Sequence, residues 1–169
     1  VVLQAVAINT FDLHLNRVKK MTVIYRGLNH REREEAIDLL ASQKLPTADL
    51  PLSLNDFFYV KDGDRLVALI GLEKYNVHGL LRSMVVHPAY RNKNIASLLV
   101  QKIEETAIQE NLKSVFLLTE TASVYFEKKG YVKVDREKVP FEIKSSSEFS
   151  NVCPVSAAVM MKKTQVSDV

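Results

Sequence analysis

With a single cysteine, Cys153, the 169-residue sequence can close no internal disulfide and suits a reducing cytosol. It has no apolar run near the roughly 18 to 20 residues that a membrane helix needs. Its first residues lack the basic start and small-residue cleavage pattern of a secretory signal. No repeat or low-complexity tract interrupts it, and no clustered spacing of His, Cys, Asp or Glu points to a metal site. The formal net charge is only +3, too small to argue for nucleic acid; a basic site for one anionic cofactor accounts for it as well. What is present is ordinary globular composition, 47% apolar and 25% charged, in a length that suffices for one cored domain.

Residues 1–20 carry no motif and read as an extension ahead of Met21, which opens a single domain over 21–163; 164–169 is a polar tail. Thr22–Tyr25 has strand composition. Asn29 can cap a helix over about Arg31–Gln43, with Ala36, Leu39 and Leu40 on its apolar stripe. Two prolines then stiffen Leu45–Pro51, a connector or a pocket wall. Phe57–Lys61, the turn Asp62-Gly63-Asp64 and Arg65–Tyr75 form a hairpin, and a second turn leads to the strand Leu80–Val86. A helix over Ile95–Glu110 packs Ile95, Leu98, Leu99, Ile103 and Ala107. Ser114–Leu118 is a buried strand, parallel to Leu80–Val86 through the crossover. A short helix over Ala122–Lys129 stops at Gly130; the strand Tyr131–Asp135, a helix from Pro140 to about Ser146 and the strand Ser156–Lys162 follow.

The chain is organised around Leu80–Ile108. A strand, a basic loop (Arg91-Asn92-Lys93-Asn94) and a helix start give free N–H groups and a positive dipole end facing one point, a phosphate cradle.

On these residues the sequence resembles the GNAT superfamily of N-acetyltransferases. The family's Arg/Gln-x-x-Gly-x-Gly/Ala signature stands as Arg91-Asn92-Lys93-Asn94-Ile95-Ala96, and Tyr125-Phe126-Glu127-Lys128-Lys129-Gly130-Tyr131 is similar to its helix-then-strand segment. Shorter stretches, Leu45–Leu50, Gly71–Tyr75, Leu80–Ser83, Leu117–Ala122 and Cys153–Ala157, resemble an arsenic-resistance subgroup that is similar to the acetyltransferase domain of N-acetylglutamate synthase. The resemblance implies an α/β (α+β) GNAT fold: a mixed, mostly antiparallel twisted sheet of six or seven strands, a parallel pair at the cofactor cleft and helices on both faces. It implies acetyl-CoA as cosubstrate, no metal, and direct acetyl transfer to the amine of a small acceptor, an amino acid or aminoarsenical. Alternatives are a peptide or protein N-acetyltransferase and a non-catalytic acetyl-CoA-binding domain. The resemblance also makes a homodimer possible, an arrangement common in the family.

The resemblance assigns the cofactor to Met84, Val85 and Val86, whose backbone faces the thioester, and to Arg91, Asn92, Lys93, Asn94, Ile95 and Ala96. Asn94 replaces the family's glycine; asparagine tolerates positive φ, at a cost of about 1 kcal/mol. Phe126 stands where many members carry a tyrosine acid, so the thiolate is expected to leave unaided. Thr119 and Thr121 either orient the thiol or serve as turn and cap residues. Glu73 is either the base that deprotonates the acceptor or an ordinary strand charge. Arg82 in LLRSMVV needs a partner: Glu73, or an acidic group on the acceptor, which would make the acceptor anionic. Ser83 faces away from Arg82 by strand alternation. Ser83 and Thr47, on the stiff loop, complete the acceptor-side expectation.

Overall fold

The computed structural model describes residues 24–152 and 154–164. The extension over 1–20, the first two residues of the Thr22–Tyr25 strand, Cys153 and the end of the polar tail lie outside the described residues. Among these, seven strands form one sheet: β1 (Ile24–Arg26), β2 (Phe57–Asp62), β3 (Arg65–Tyr75), β4 (His78–Val86), β5 (Ser114–Thr119), β6 (Val132–Lys133) and β7 (Ala158–Lys163), in the order β1-β2-β3-β4-β5-β7-β6. Only β4 and β5 run parallel; the other neighbours are antiparallel. The mixed sheet is as expected.

Strand alternation divides the core. Phe58 and Val60 of β2 join the cluster under helix α2 (Ile95–Gln109), with Leu99, Ile103 and Ala107. Phe57 and Tyr59 face the other way, against Ala36, Leu39 and Leu40 of helix α1 (His30–Ser42). Two short helices, α3 (Ser123–Glu127) and α4 (Phe141–Lys144), complete the layers. Phe126 of α3 packs into the α2 cluster, and Ile143 of α4 packs on Leu80 and Phe116.

Helix α1 begins where the cap residue stands. Asn29 Oδ1 accepts from the Glu32 amide and Glu32 Oε2 accepts from the Asn29 amide, each at 3.1 Å, a reciprocal capping box. Lys61 of β2 donates to Glu32 Oε1 at 2.7 Å, tying the cap to the sheet. That bond holds the Glu32 carboxyl below its ordinary range.

The end of the chain departs from expectation. The strand expected over Tyr131–Asp135 shrinks to Val132–Lys133, because Asp135 leads a 3-10 turn over Arg136–Lys138. Pro140 caps rather than opens α4. Glu148–Val152 forms a π-helical turn that no local pattern announces. Leu98 is half-buried, and Val100 and Thr106 take its place on the buried face of α2.

Two outcomes follow for stability. A methyl group on Gly71 would sit 2.5 Å from two atoms of the buried Phe57 ring. Gly71→Ala is therefore expected to cost about 1–3 kcal/mol, read as a lower urea midpoint; an unchanged midpoint would mean the ring moves aside freely. Glu32→Gln is expected to cost about 1 kcal/mol at neutral pH. A carboxyl with a lowered folded pKa stabilises above its ordinary range and stops doing so as pH falls through the folded value. The gap to wild type should thus narrow on acidification, and a gap that stays constant into strong acid contradicts the assignment.

Candidate active site between strands β4 and β5

Strands β4 and β5 pair at three positions only, His78 with Ser114, Gly79 with Val115 and Leu80 with Phe116. Beyond Leu80, β4 stays with β3 as far as Val86, while β5 stays with β7 as far as Thr119. The two strands therefore diverge, and a wedge opens between Leu81–Met84 and Leu117–Thr119. A bulge sharpens it. Leu69 pairs with Val85 and Gly71 with Arg82, so Ser83 and Met84 together oppose Ile70, and Ser83 takes φ 54°. A bulge breaks the ladder and re-aims the residues it holds.

Two cavities adjoin at Leu45 and Met84. One, of about 520 Å³, is lined by Met84, Val85, Val86 and the loop into α2. Asn92 and Asn94 both adopt the left-handed conformation, φ 59° and 60°. Asn94 precedes α2 without a side-chain capping bond, so the first-turn amides keep their donors for a ligand. Arg91 braces the loop: Nε donates to Val86 O at 3.2 Å and Nη2 to Gln43 Oε1 at 2.6 Å. Tyr90 steadies it from the other side, donating to Asp62 Oδ2 at 2.8 Å.

The second cavity, of about 340 Å³, fills the wedge. Arg82, only 4% exposed, lies in its wall. Its Nη1 is 2.5 Å from Glu73 Oε1, its Nη2 2.7 Å from Asp49 Oδ2 and its Nε 3.4 Å from Glu148 Oε2. Nη1 also donates to Asp49 O at 3.3 Å. These neighbours hold the guanidinium's pKa above its ordinary value against the cost of burial. Tyr75 donates to the second oxygen of Glu73, and burial with that contact pushes its phenol well up.

Most of the expected cofactor residues gather at the first cavity: Met84, Val85, Val86, Arg91, Asn92, Asn94, Ile95 and Ala96. Lys93 does not line it; its ammonium lies 5.1 Å from the centroid of the Tyr90 ring. On the acceptor side the picture changes more. Ser83 was expected to face away from Arg82, yet the bulge overrides alternation and Ser83 Oγ lies 3.3 Å from Arg82 Nε, in the same cavity. Thr47 does not line the wedge; Leu45 and Pro46 do, and Thr47 O instead accepts from the Leu50 amide. Glu73 has both oxygens engaged, and Glu148, not Glu73, reaches the wall. Thr119 and Thr121 line the cavity. Thr119 also closes the turn, its Oγ1 accepting from Ala122 N at 2.9 Å, whereas Thr121 does not cap α3. Phe126 is core, edge-on to Tyr125 and Tyr131. Asp49 and Glu148 went unnoticed in the sequence, as did the left-handed conformation of Asn92. Asn92 could have been read as a second left-handed asparagine, but nothing local marks Asp49 or Glu148, which lie 33 and 66 residues from Arg82 along the chain.

The profile of the acetyltransferase (GNAT) family matches residues 25–131. An uncharacterised N-acetyltransferase of Chlorobaculum tepidum is 32% identical over 91 residues, 53% of this chain and 58% of that protein. An amino-acid acetyltransferase of Buchnera aphidicola is 37% identical over 62 residues, 37% of this chain and 14% of that protein. In three dimensions the chain is similar to N-acetylglutamate synthase from Neisseria gonorrhoeae, solved with coenzyme A and L-arginine: TM-score 0.72, 12% identity, 86% of this chain and 34% of that one. That last likeness speaks for the fold. The chain spans 58% or less of the length of each of these relatives.

Arg82→Met would leave three carboxylates without their cation. It is expected to cost about 3–5 kcal/mol in urea unfolding; a loss below about 1 kcal/mol would mean that the cluster is solvated rather than buried.

Proposed function

The chain belongs to the acetyltransferase (GNAT) family, and on that footing we propose that it transfers an acetyl group from acetyl-CoA directly to the amine of a small acceptor of amino-acid type. The observation that carries this reading is the wedge: two parallel strands that part after three pairs, with a bulge and an uncapped helix start at its mouth. Acetyl-CoA brings an already activated thioester, so the protein's share is positioning, polarisation and proton handling. The first-turn amides at Ile95 and Ala96 suit its pyrophosphate, and Arg91 shapes the loop that presents them. The backbone of Met84 to Val86 suits the pantetheine arm. A preorganised amide at the bulge would stabilise the developing oxyanion by about 3 kcal/mol.

With Phe126 in the core, no tyrosine acid stands at the family position. A thiol with a pKa near about 8.5 leaves as thiolate and is protonated from water. The acceptor cavity, about 340 Å³ and walled by Leu45 and Pro46, suits a small molecule rather than a peptide groove. The amino-acid acetyltransferase among the relatives supports an amino-acid acceptor; an aminoarsenical is the finer alternative. Such an enzyme would work in the cytosol, with acetyl-CoA and reduced thiols.

Thiol release from acetyl-CoA should be measured against amino acids, polyamines, aminoarsenicals and peptides. Turnover is expected with a small amine and not with peptides. Tight acetyl-CoA binding without any turnover would favour a regulatory domain instead. In the same protein Asn94→Val, a β-branched residue forced to positive φ, is expected to weaken acetyl-CoA about tenfold by calorimetry; undiminished affinity would move the cofactor off this loop.

A further inference from the structure

Arg82 needs one carboxylate and has three, so the wedge carries more negative charge than its one buried cation cancels. Two of the three are held behind the arginine. Glu73 also accepts from Tyr75, and Asp49 Oδ2 also accepts from Ser147 at 3.4 Å. Asp49 Oδ1 is buried and takes no hydrogen bond among the described residues, on a side chain that is 8% exposed. Glu148 alone of the three lines the cavity, in the same wall as Ser83 and Met84. An anionic acceptor group would find Arg82 fully engaged and would meet this excess charge. A cationic group would be drawn in.

Glu148 is also fixed in place. It opens the π-helical turn, and Ser146 anchors that turn from within: its hydroxyl donates to Ile143 O at 2.7 Å and accepts from Phe149 N at 3.2 Å. Arg136 lies 4.9 Å from the centroid of the Phe149 ring and seals the turn from outside.

We propose that Glu148 receives the ammonium group of the acceptor and takes up its proton before acetyl transfer. The proposal rests on the N-acetyltransferase reading above and gives that site its base. The acceptor R–NH3+ passes one proton to the Glu148 carboxylate. The freed nitrogen lone pair forms the N–C bond at the thioester carbonyl, and the carbonyl electron pair moves to oxygen. Collapse breaks the C–S bond. The second nitrogen proton goes to water, the departing thiolate takes one from water, and Glu148 returns its proton to water once the amide leaves. Arg82 is then a positioning residue, holding the carboxylate from behind.

The groups that face Glu148 are Arg82 on β4 and Tyr75 on β3, with Glu73 and Asp49 reached through Arg82, and Lys44 and Glu120 lining the cavity. Tyr75 and Arg82 stay protonated through the working range.

The test compares wild type, Glu148→Gln and Glu148→Asp with acetyl-CoA and three nucleophiles. L-glutamate and 1,4-diaminobutane are alkylamines that arrive protonated. Hydroxylamine is largely unprotonated at neutral pH and needs no base. For an alkylamine that the wild type acetylates, Glu148→Gln is expected to lower kcat/KM about a hundredfold at neutral pH. The deficit should shrink as pH rises and free amine accumulates, and Glu148→Asp should recover part of it. Acetyl-CoA affinity and the hydroxylamine rate should stay within about threefold of wild type. A pH-independent loss, an equal loss with hydroxylamine, or near-wild-type alkylamine turnover overturns the proposal. Failure of the wild type itself on all three nucleophiles would remove the acetyltransferase reading, a result visible before any variant is made.

Discussion

A strand can be held by two neighbours, and β4 and β5 are each held by the wrong pair to stay together. β3 retains β4 through Val86, and β7 retains β5 through Thr119, so the parallel contact between them ends at Leu80 and Phe116. The sheet twist that each neighbour imposes does the rest. Nearly everything functional depends on that separation. The bulge at Ser83 and Met84 is tolerable because β4 has no partner on the open side there. The loop after Val86 can turn up into α2 for the same reason. Where an ordinary sheet would pair these strands throughout, this one leaves backbone groups facing a cleft.

The fold was legible where local physics decides it. Asn29, the Asp62-Gly63-Asp64 turn, the apolar face from Ile95 to Ala107 and the stop at Gly130 are short-range signals, and each element stands within a few residues of its expected place. The Asn94 conformation was legible for the same reason: asparagine is the non-glycine residue that best accepts positive φ. Legibility failed with the bulge. One residue of slip reverses every side chain that follows, so Ser83 was assigned to the wrong face. It failed again where partners come from distant chain: Glu73 was foreseen as a partner of Arg82, but Asp49 and Glu148 were not.

That failure bears on chemistry. An arginine in an apolar strand reads, in isolation, either as the partner of a neighbouring carboxylate such as Glu73 or as a receptor for an acidic acceptor. In the folded chain it is the counter-ion of Glu73, Asp49 and Glu148. The excess charge changes the sign of what the cavity attracts, from the acceptor's acid to its amine. A buried ion cluster of this kind adds little net stability over an apolar replacement. Its retention makes better sense as a means of holding one carboxylate at a cleft wall in a fixed direction.

A crystal structure of the protein with coenzyme A would decide whether the cleft between β4 and β5 is the cofactor site. The pyrophosphate is expected over the amides at Ile95 and Ala96, with the pantetheine arm lying between β4 and β5 beside Met84. Coenzyme A bound elsewhere, for example in the groove lined by Arg31, Asp64 and His87, with the wedge left empty, would contradict that placement.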